Sequence, residues 1–330
     1  MTSVLRRAPP LQAFRYAPGR GLEGDVCVFA LAADASPILV EAVSGRAMTL
    51  VPGDVFLGTP GNRESTRWVV GGIPAGGLVP GRTYWVLAES GIVGDLAGDS
   101  PLEKTHLERA RYLGSVRDDA GRTLNIRQFA ARADAGASDR RAPVSLIVGT
   151  SAEIGKTTAA IALLRSLLRK RQRAVIVLKA TGTGSLTEID NYRDHGARQV
   201  FDCVDFGLPT TYPSKRKGIE RWFGLALDTC LSLPADAVLI ECGGDLLGAN
   251  VPVFLKALTR RRARPKVILA AADALGALSA KQMLEKMGLP VGLITGPCTD
   301  TPTLQQRTQK LCRTPALNLA APDASADSLL

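Results

Sequence analysis

Lys156 and Thr157 close a glycine-bracketed turn, Gly149-Thr150-Ser-Ala-Glu153-Ile154-Gly155-Lys156-Thr157-Thr158. A turn of this kind aims backbone N–H groups at an anion, and a helix starting at its end adds the positive pole of its dipole. The chemistry this implies is phosphate binding: Lys156 reaches the outer phosphates of a nucleotide and the Thr157 hydroxyl holds Mg²⁺. Gly149, Thr150, Glu153, Ile154, Gly155, Lys156, Thr157 and Thr158 are the expected nucleotide contacts. The Glu153 carboxylate opposes phosphate, so its expected partner is Mg²⁺, a lysine or another subunit. Two further charged residues stand where a catalytic group would. Lys179 follows the apolar run Ala174–Leu178, and Glu241 follows Ala237–Ile240. A strand-end lysine can neutralise a transferring phosphoryl group or bind a carboxylate, and a strand-end acid can hold Mg²⁺.

The elements that position these groups are legible on both sides of the turn. Val144–Val148 is a β-type run, and Ala160, Ile161, Leu163, Leu164, Leu167 and Leu168 recur at helical spacing. Strand, glycine loop, Gly-Lys-Thr and helix in that order are the context that gives the motif its meaning. Further strands are expected at 174–178, 199–204, 237–241, 267–271, 290–295 and 315–318, with helices between several of them. The fold class is therefore α/β: a P-loop NTPase domain with a mostly parallel, doubly wound sheet and its ligand at the strands' C-terminal ends.

The spacing of the loop is unusual. Five residues separate Gly149 from Gly155, against four in the general motif. In this the loop resembles that of the dethiobiotin synthetases, Gly-Thr-x-x-x-x-Gly-Lys-Thr. Lys179 matches that family's lysine at the end of the second strand, with Thr183 as the hydroxyl residue four positions later. Glu241-Cys-Gly-Gly-Asp245 is similar to its Glu-Gly-x-Gly-Gly turn, whose glutamate helps hold Mg²⁺. The resemblance covers roughly residues 144–319. It implies ATP and Mg²⁺ as cofactors, Lys156, Lys179 and Glu241 as catalytic residues, and Thr157, Asp190 and Glu241 around the metal. Asp205 competes with Asp190 for the second acid. Two departures stand out: Lys179-Ala180 replaces the family's Lys-Pro, and Leu293-Ile-Thr-Gly296-Pro297 lacks its adenine-contacting Asn. The chain thus reads as a relative of that fold. Similar loops also occur near the middle of two-domain proteins, some of which make N-acyl amino acids.

Residues 1–130 read as a smaller, β-rich (α+β) domain, with short apolar runs such as Val26–Leu31, Trp68–Val70 and Tyr84–Leu87 punctuated by Gly and Pro. One helix is expected there, from the capping box Ser100-Pro101-Leu102-Glu103 to a stop at Gly114. Residues 131–143 read as a linker and 144–330 as the nucleotide-binding domain; 323–330 reads as a polar tail. In the first domain, Asn62 and Arg63 have the composition of a substrate-reading loop.

The 330 residues carry a formal net charge of +10. The basic clusters at 165–173, 215–217 and 260–266 are not interleaved with aromatics, which argues against a nucleic-acid platform. Six cysteines form no C-x-x-C pair, and no run of 18 apolar residues occurs, so a cytoplasmic location with reduced thiols and no membrane partner is expected. No His/Cys spacing suggests zinc. The leading functional expectation is a synthetase or ligase. It would activate a small carboxylate as an acyl phosphate for capture by an amine, its partners being a small-molecule carboxylate or an amino-acid-like substrate and a second copy in a homodimer. A small-molecule kinase uses the same parts, and a nucleotide-dependent switch or chaperone is the other class.

Overall fold

The computed structural model of the chain describes residues 1–11, 13–64, 69–98, 100, 106–132, 142–169, 174–212, 218–261 and 263–321. Residues 101–105 of the expected capping-box helix, most of the 131–143 linker, the 215–217 basic cluster and the 323–330 tail lie outside them. Two units are distinguished. One comprises Met1–Ala131, Thr183–Asp190 and Asp202–Lys217; the other comprises Arg132–Gly182, Asn191–Phe201 and Gly218–Leu330.

Alternation of apolar and polar side chains builds the first unit. Its strands are β1 (Arg15–Ala17), β2 (Cys27–Leu31), β3 (Ile38–Glu41), β4 (Ala47–Leu50), β5 (Val55–Pro60), β6 (Arg63–Glu64), β7 (Val70–Gly72), β8 (Thr83–Ala88), β9 (Ile92–Leu96) and β10 (Arg109–Arg117). The ladder runs β10–β2–β5–β9, and β8 pairs with both β9 and β10, which closes the ring. Closure leaves those five strands without free edges. Phe29, Phe56, Tyr84 and Tyr112 fill its core, with Phe29 stacked on Phe56 at 5.5 Å. The helix expected to run up to Gly114 is corrected here, because Arg109–Arg117 is a strand. Ala110 and Tyr112 are buried while Arg109 and Arg111 are exposed, a period of two rather than 3.6. Gly114 is a kink instead of a stop: a Cβ there would lie 2.5 Å from the Ala17 carbonyl oxygen.

Two later chain segments group with this unit through buried charge. The Arg6 guanidinium, 8% exposed, bonds both Asp202 and, at 2.9 Å, Asp205. Glu41 accepts hydrogen bonds from Ser3 Oγ, Ser185 Oγ and the backbone N–H groups of Leu186 and Thr187. Burial works to raise the Glu41 pKa, and these donors more than offset it, leaving the carboxyl below its ordinary range. Arg6→Ala strands two buried carboxylates, and removing one partner of such a cluster costs about 3 kcal/mol. Chemical denaturation should therefore show a lower unfolding midpoint for Arg6→Ala; a midpoint equal to the wild type would show that the cluster contributes nothing.

Continuous apolar runs build the second unit. β11 (Val144–Gly149), β12 (Val175–Thr181), β13 (Gln199–Phe201), β14 (Ala237–Cys242), β15 (Lys266–Ala270) and β16 (Val291–Thr295) pair in the order β13-β12-β14-β11-β15-β16, all parallel. β11, β12 and β14 are buried along their whole length, as a parallel sheet covered on both faces requires. The unit's helices are α1 (Lys156–Arg169), α3 (Ile219–Ser232), α4 (Val251–Arg260), α5 (Ala274–Lys286) and α6 (Pro302–Cys312), while α2 (Leu186–Asp194) is divided after Asp190 between the two units. The crossovers β11-α1-β12 and β14-α4-β15 travel along the sheet in opposite directions. With right-handed connections they place α1 and α4 on opposite faces. Two strand expectations change. The 199–204 strand stops at Phe201, because Asp202 caps a 3₁₀ turn at Cys203–Phe206. Residues 315–318 contribute only a single parallel bridge, Ile294 with Ala316.

Candidate nucleotide-binding site

Placing β11 between β14 and β15 gathers the charged strand ends. The chain leaves β11 in one direction and returns to its other side after β14, so the crevice at the strands' C-terminal ends is the switch point where α/β sheets bind ligands. The 149–155 turn lies there. Its first residue is glycine for a steric reason: a Cβ at Gly149 would stand 2.8 Å from Lys156 Cδ and 2.9 Å from Ile154 Cδ1. Thr150 is tied to the neighbouring strand end, its N–H donating to the Ala270 carbonyl and its hydroxyl accepting from Ala272 N–H. Glu153 is exposed and holds the left-handed conformation, φ 56°, rare for a non-glycine residue. Gly155, at φ 82°, turns the chain into α1.

Lys156 opens α1 and curls back over the turn. Its ammonium donates to the Ser151 carbonyl at 2.5 Å. The N–H groups of the first helical turn have no intrahelical acceptor and face the same opening. Thr157 Oγ1 donates to Glu241 Oε1 at 3.0 Å, across from β11 to β14. Lys179 Nζ stands 3.9 Å from that same oxygen. The other carboxylate oxygen, Glu241 Oε2, accepts from the Tyr192 hydroxyl. Glu241 is 1% exposed and Lys179 7%. Past β14, the Thr181 hydroxyl donates to the Gly243 carbonyl, and a Cβ at Gly243 would lie 2.4 Å from the Thr181 carbonyl oxygen. Only glycine permits that approach.

Burial pushes the Lys156 pKa below its ordinary value; Glu241 opposes this and Lys179 reinforces it. An unfolded chain therefore holds this proton more tightly than the folded one, and the lysine costs stability at neutral pH. That is the mark of a cation kept for an anion. Burial also raises the Cys242 thiol to about 12, so the cysteine next to Glu241 is neutral and no nucleophile.

Mg²⁺ fits this donor set. It is commonly held by one or two protein oxygens, with phosphate and water completing the shell. Thr157 donates its proton to Glu241 and keeps its lone pairs for a cation. Among the described residues no group of three or more His, Cys, Asp or Glu side chains forms a metal cage. Bound there, the ion would neutralise charge on the outer phosphates.

The second unit is an α/β fold, a six-stranded parallel sheet with the glycine turn joining β11 to α1. No protein-family model matches the chain, and no curated protein matches it. Among solved structures it is similar to FtsY from Mycoplasma mycoides, at 15% identity over 58% of this chain and 64% of that one, TM-score 0.36. It is similar to the signal recognition particle receptor FtsY from Elizabethkingia anophelis in complex with GDP, at 15% identity, 52% and 53%, TM-score 0.34. A third is the signal recognition particle 54 kDa protein from Aeropyrum pernix K1 in complex with GDP, at 18% identity, 56% and 44%, TM-score 0.37. The chain thus spans less than two thirds of the length of each of these relatives.

These neighbours correct two expectations. They include a signal recognition particle receptor and a particle subunit, each in complex with GDP. The acyl-phosphate ligase is withdrawn, and with it the small carboxylate or amino-acid-like substrate and its homodimer. The site gives a physical reason. The lysine that would have bound a substrate carboxylate is buried beside the protein's own carboxylate, Glu241. The other expected residues are placed as follows by their own neighbours. Thr183 bridges to Thr210 within the first unit. Asp190 belongs to that unit too, its Oδ2 2.7 Å from where a Cβ on Gly45 would stand. Asp205, its competitor, is paired with Arg6. Thr158 is exposed on the first turn of α1.

Tyr192 was not among the expected site residues. From the stretch 186–194 only Asp190 is singled out by sequence; Leu186, Ile189 and Tyr192, spaced by three, are all buried. A tyrosine at the end of such a stripe is the one signal that a hydroxyl needs a buried partner. Among the described residues no helix is long and apolar enough to cross a membrane.

Proposed function

We propose that this chain is a nucleotide-dependent switch that binds a nucleoside triphosphate with Mg²⁺ at the 149–158 loop and hydrolyses it. The observation that carries the reading is the arrangement of half-buried Thr157 with buried Glu241 and Lys179 beside Lys156. It joins a phosphate cradle and a metal-side carboxylate. Lys156 and Lys179 stabilise charge on the phosphoryl oxygens, and Glu241 orients what lies on the metal side.

A second feature favours a switch. The loop that follows β14 stores strain. Ala249, at φ 49°, and Asn250, at φ 57°, are consecutive non-glycine residues in the left-handed region, and Ala249 is fully buried. Each such residue costs on the order of 1–3 kcal/mol, and such strain gathers at segments with two arrangements. Gly243 and Gly244 supply pivots at the other end of the loop.

The test is hydrolysis by the full chain with no co-substrate, assayed with GTP because two similar structures hold GDP, and with ATP because the loop resembles an ATP-binding one. Slow Mg²⁺-dependent phosphate release from either, without any carboxylate or amine, supports the switch. Phosphate release that requires an added acceptor, or none at all, contradicts it.

A further inference from the structure

We propose that Tyr192 sets the metal preference of the site by holding Glu241 to a single available oxygen. The inference rests on the nucleotide–Mg²⁺ reading above and deepens it. Tyr192 is fully buried and Glu241 nearly so, and the phenolic hydroxyl donates to Oε2. Oε1 meanwhile receives the Thr157 proton at 3.0 Å and faces Lys179 at 3.9 Å. A carboxylate with one oxygen pinned by a buried hydroxyl cannot turn to present both oxygens to a cation. Ca²⁺ takes six to eight oxygens, readily including bidentate carboxylates, whereas Mg²⁺ demands a small octahedron and keeps several waters. Pinning Oε2 therefore disfavours Ca²⁺ and leaves Mg²⁺ untouched. Tyr192 acts through Glu241 and is a positioning residue.

The packing supports a fixed hydroxyl. Tyr192 lies on α2 with its ring in the core, so the O–H cannot swing away without moving the helix. The hydroxyl bonds a charged group, so its loss should be read as roughly a tenfold change in a binding ratio.

The experiment measures binding of fluorescent non-hydrolysable GTP and ATP analogues to the full chain in Mg²⁺, in Ca²⁺ and in EDTA. The quantity read is the ratio of half-saturating Ca²⁺ to half-saturating Mg²⁺. Tyr192→Phe, which removes one oxygen atom, should lower that ratio about tenfold while leaving nucleotide affinity in EDTA unchanged. A merely structural role would instead shift all three conditions together. Glu241→Asp draws the carboxylate back from the hydroxyl and should lower the ratio in the same direction, even if Tyr192→Phe folds poorly. In a Glu241→Gln background Tyr192→Phe should have no further effect on the ratio. A wild-type ratio in both Tyr192→Phe and Glu241→Asp overturns the proposal while leaving the nucleotide reading intact. Failure of the wild type to bind either analogue with any cation overturns that reading, and this proposal with it.

Discussion

Lys156→Met should lower nucleoside triphosphate hydrolysis by roughly 10²–10³-fold and, without nucleotide, raise the protein's thermal midpoint at neutral pH. Both effects follow from one arrangement. Lys156 is 6% exposed, its ammonium curls over the loop to the Ser151 carbonyl, and it shares its surroundings with Lys179. A triphosphate would repay its desolvation; the protein alone does so only in part. Methionine keeps the buried alkyl volume and removes the charge. The pH dependence gives the sign. The folded-state pKa is below the ordinary lysine value of 10.5. Between the two values the unfolded chain binds more protons, and wild-type stability contributed by this group rises with pH. The stability gap between variant and wild type should therefore narrow as pH climbs toward 10.5. Thermal unfolding between pH 7 and 10 checks this, and a variant less stable than wild type across that range would show that the lysine is a structural ion-pair partner.

Glu241→Gln should have the second-largest effect, on metal dependence and on stability together. The carboxylate accepts from Thr157 and from Tyr192 on separate oxygens, and the amide offers only one acceptor. One buried hydroxyl must then face an N–H₂ group, and Lys179 loses its nearby negative charge. Breaking a buried pair from one side costs about 3 kcal/mol at the upper end for a contact at 3.9 Å. The Mg²⁺ concentration that half-saturates hydrolysis should rise about tenfold or more, with the unfolding midpoint lowered. Unchanged Mg²⁺ dependence would remove Glu241 from the metal side.

Much of this site could be read from local sequence. The run into Gly149, the Gly155-Lys156-Thr157 end and the apolar stripe of α1 each depend on residues close in the chain. Lys179 and Glu241 were visible because an apolar run delivers them to a strand end. The order of the strands was not visible. That β14 and not β12 lies beside β11, so that Thr157 and Glu241 meet, depends on pairing between segments about 90 residues apart in the chain, as the Ile147–Glu241 register shows. Nor does local pattern reveal that 183–190 and 202–217 group with the first unit, because Glu41 and Arg6 make the deciding bonds across more than a hundred residues. The 109–117 strand was misread for a local reason. Leu-Glu-Arg-Ala-Arg-Tyr-Leu, beginning at Leu107, favours helix by propensity, and the closed ladder with β2 and β8 overrides it. Tyr192 was hidden because a buried tyrosine looks like core until its hydroxyl is placed.

The most direct test of the central claim is equilibrium titration of the full chain with non-hydrolysable triphosphate analogues and with the corresponding diphosphates, in Mg²⁺ and in EDTA. The account predicts that at least one triphosphate, of guanosine or adenosine, binds in Mg²⁺, that EDTA weakens this binding at least tenfold, and that Lys156→Met abolishes it. Triphosphate and diphosphate complexes should also differ in protease cleavage within 243–250. Binding that ignores Mg²⁺ and survives Lys156→Met, or no binding by any of these nucleotides, would contradict it.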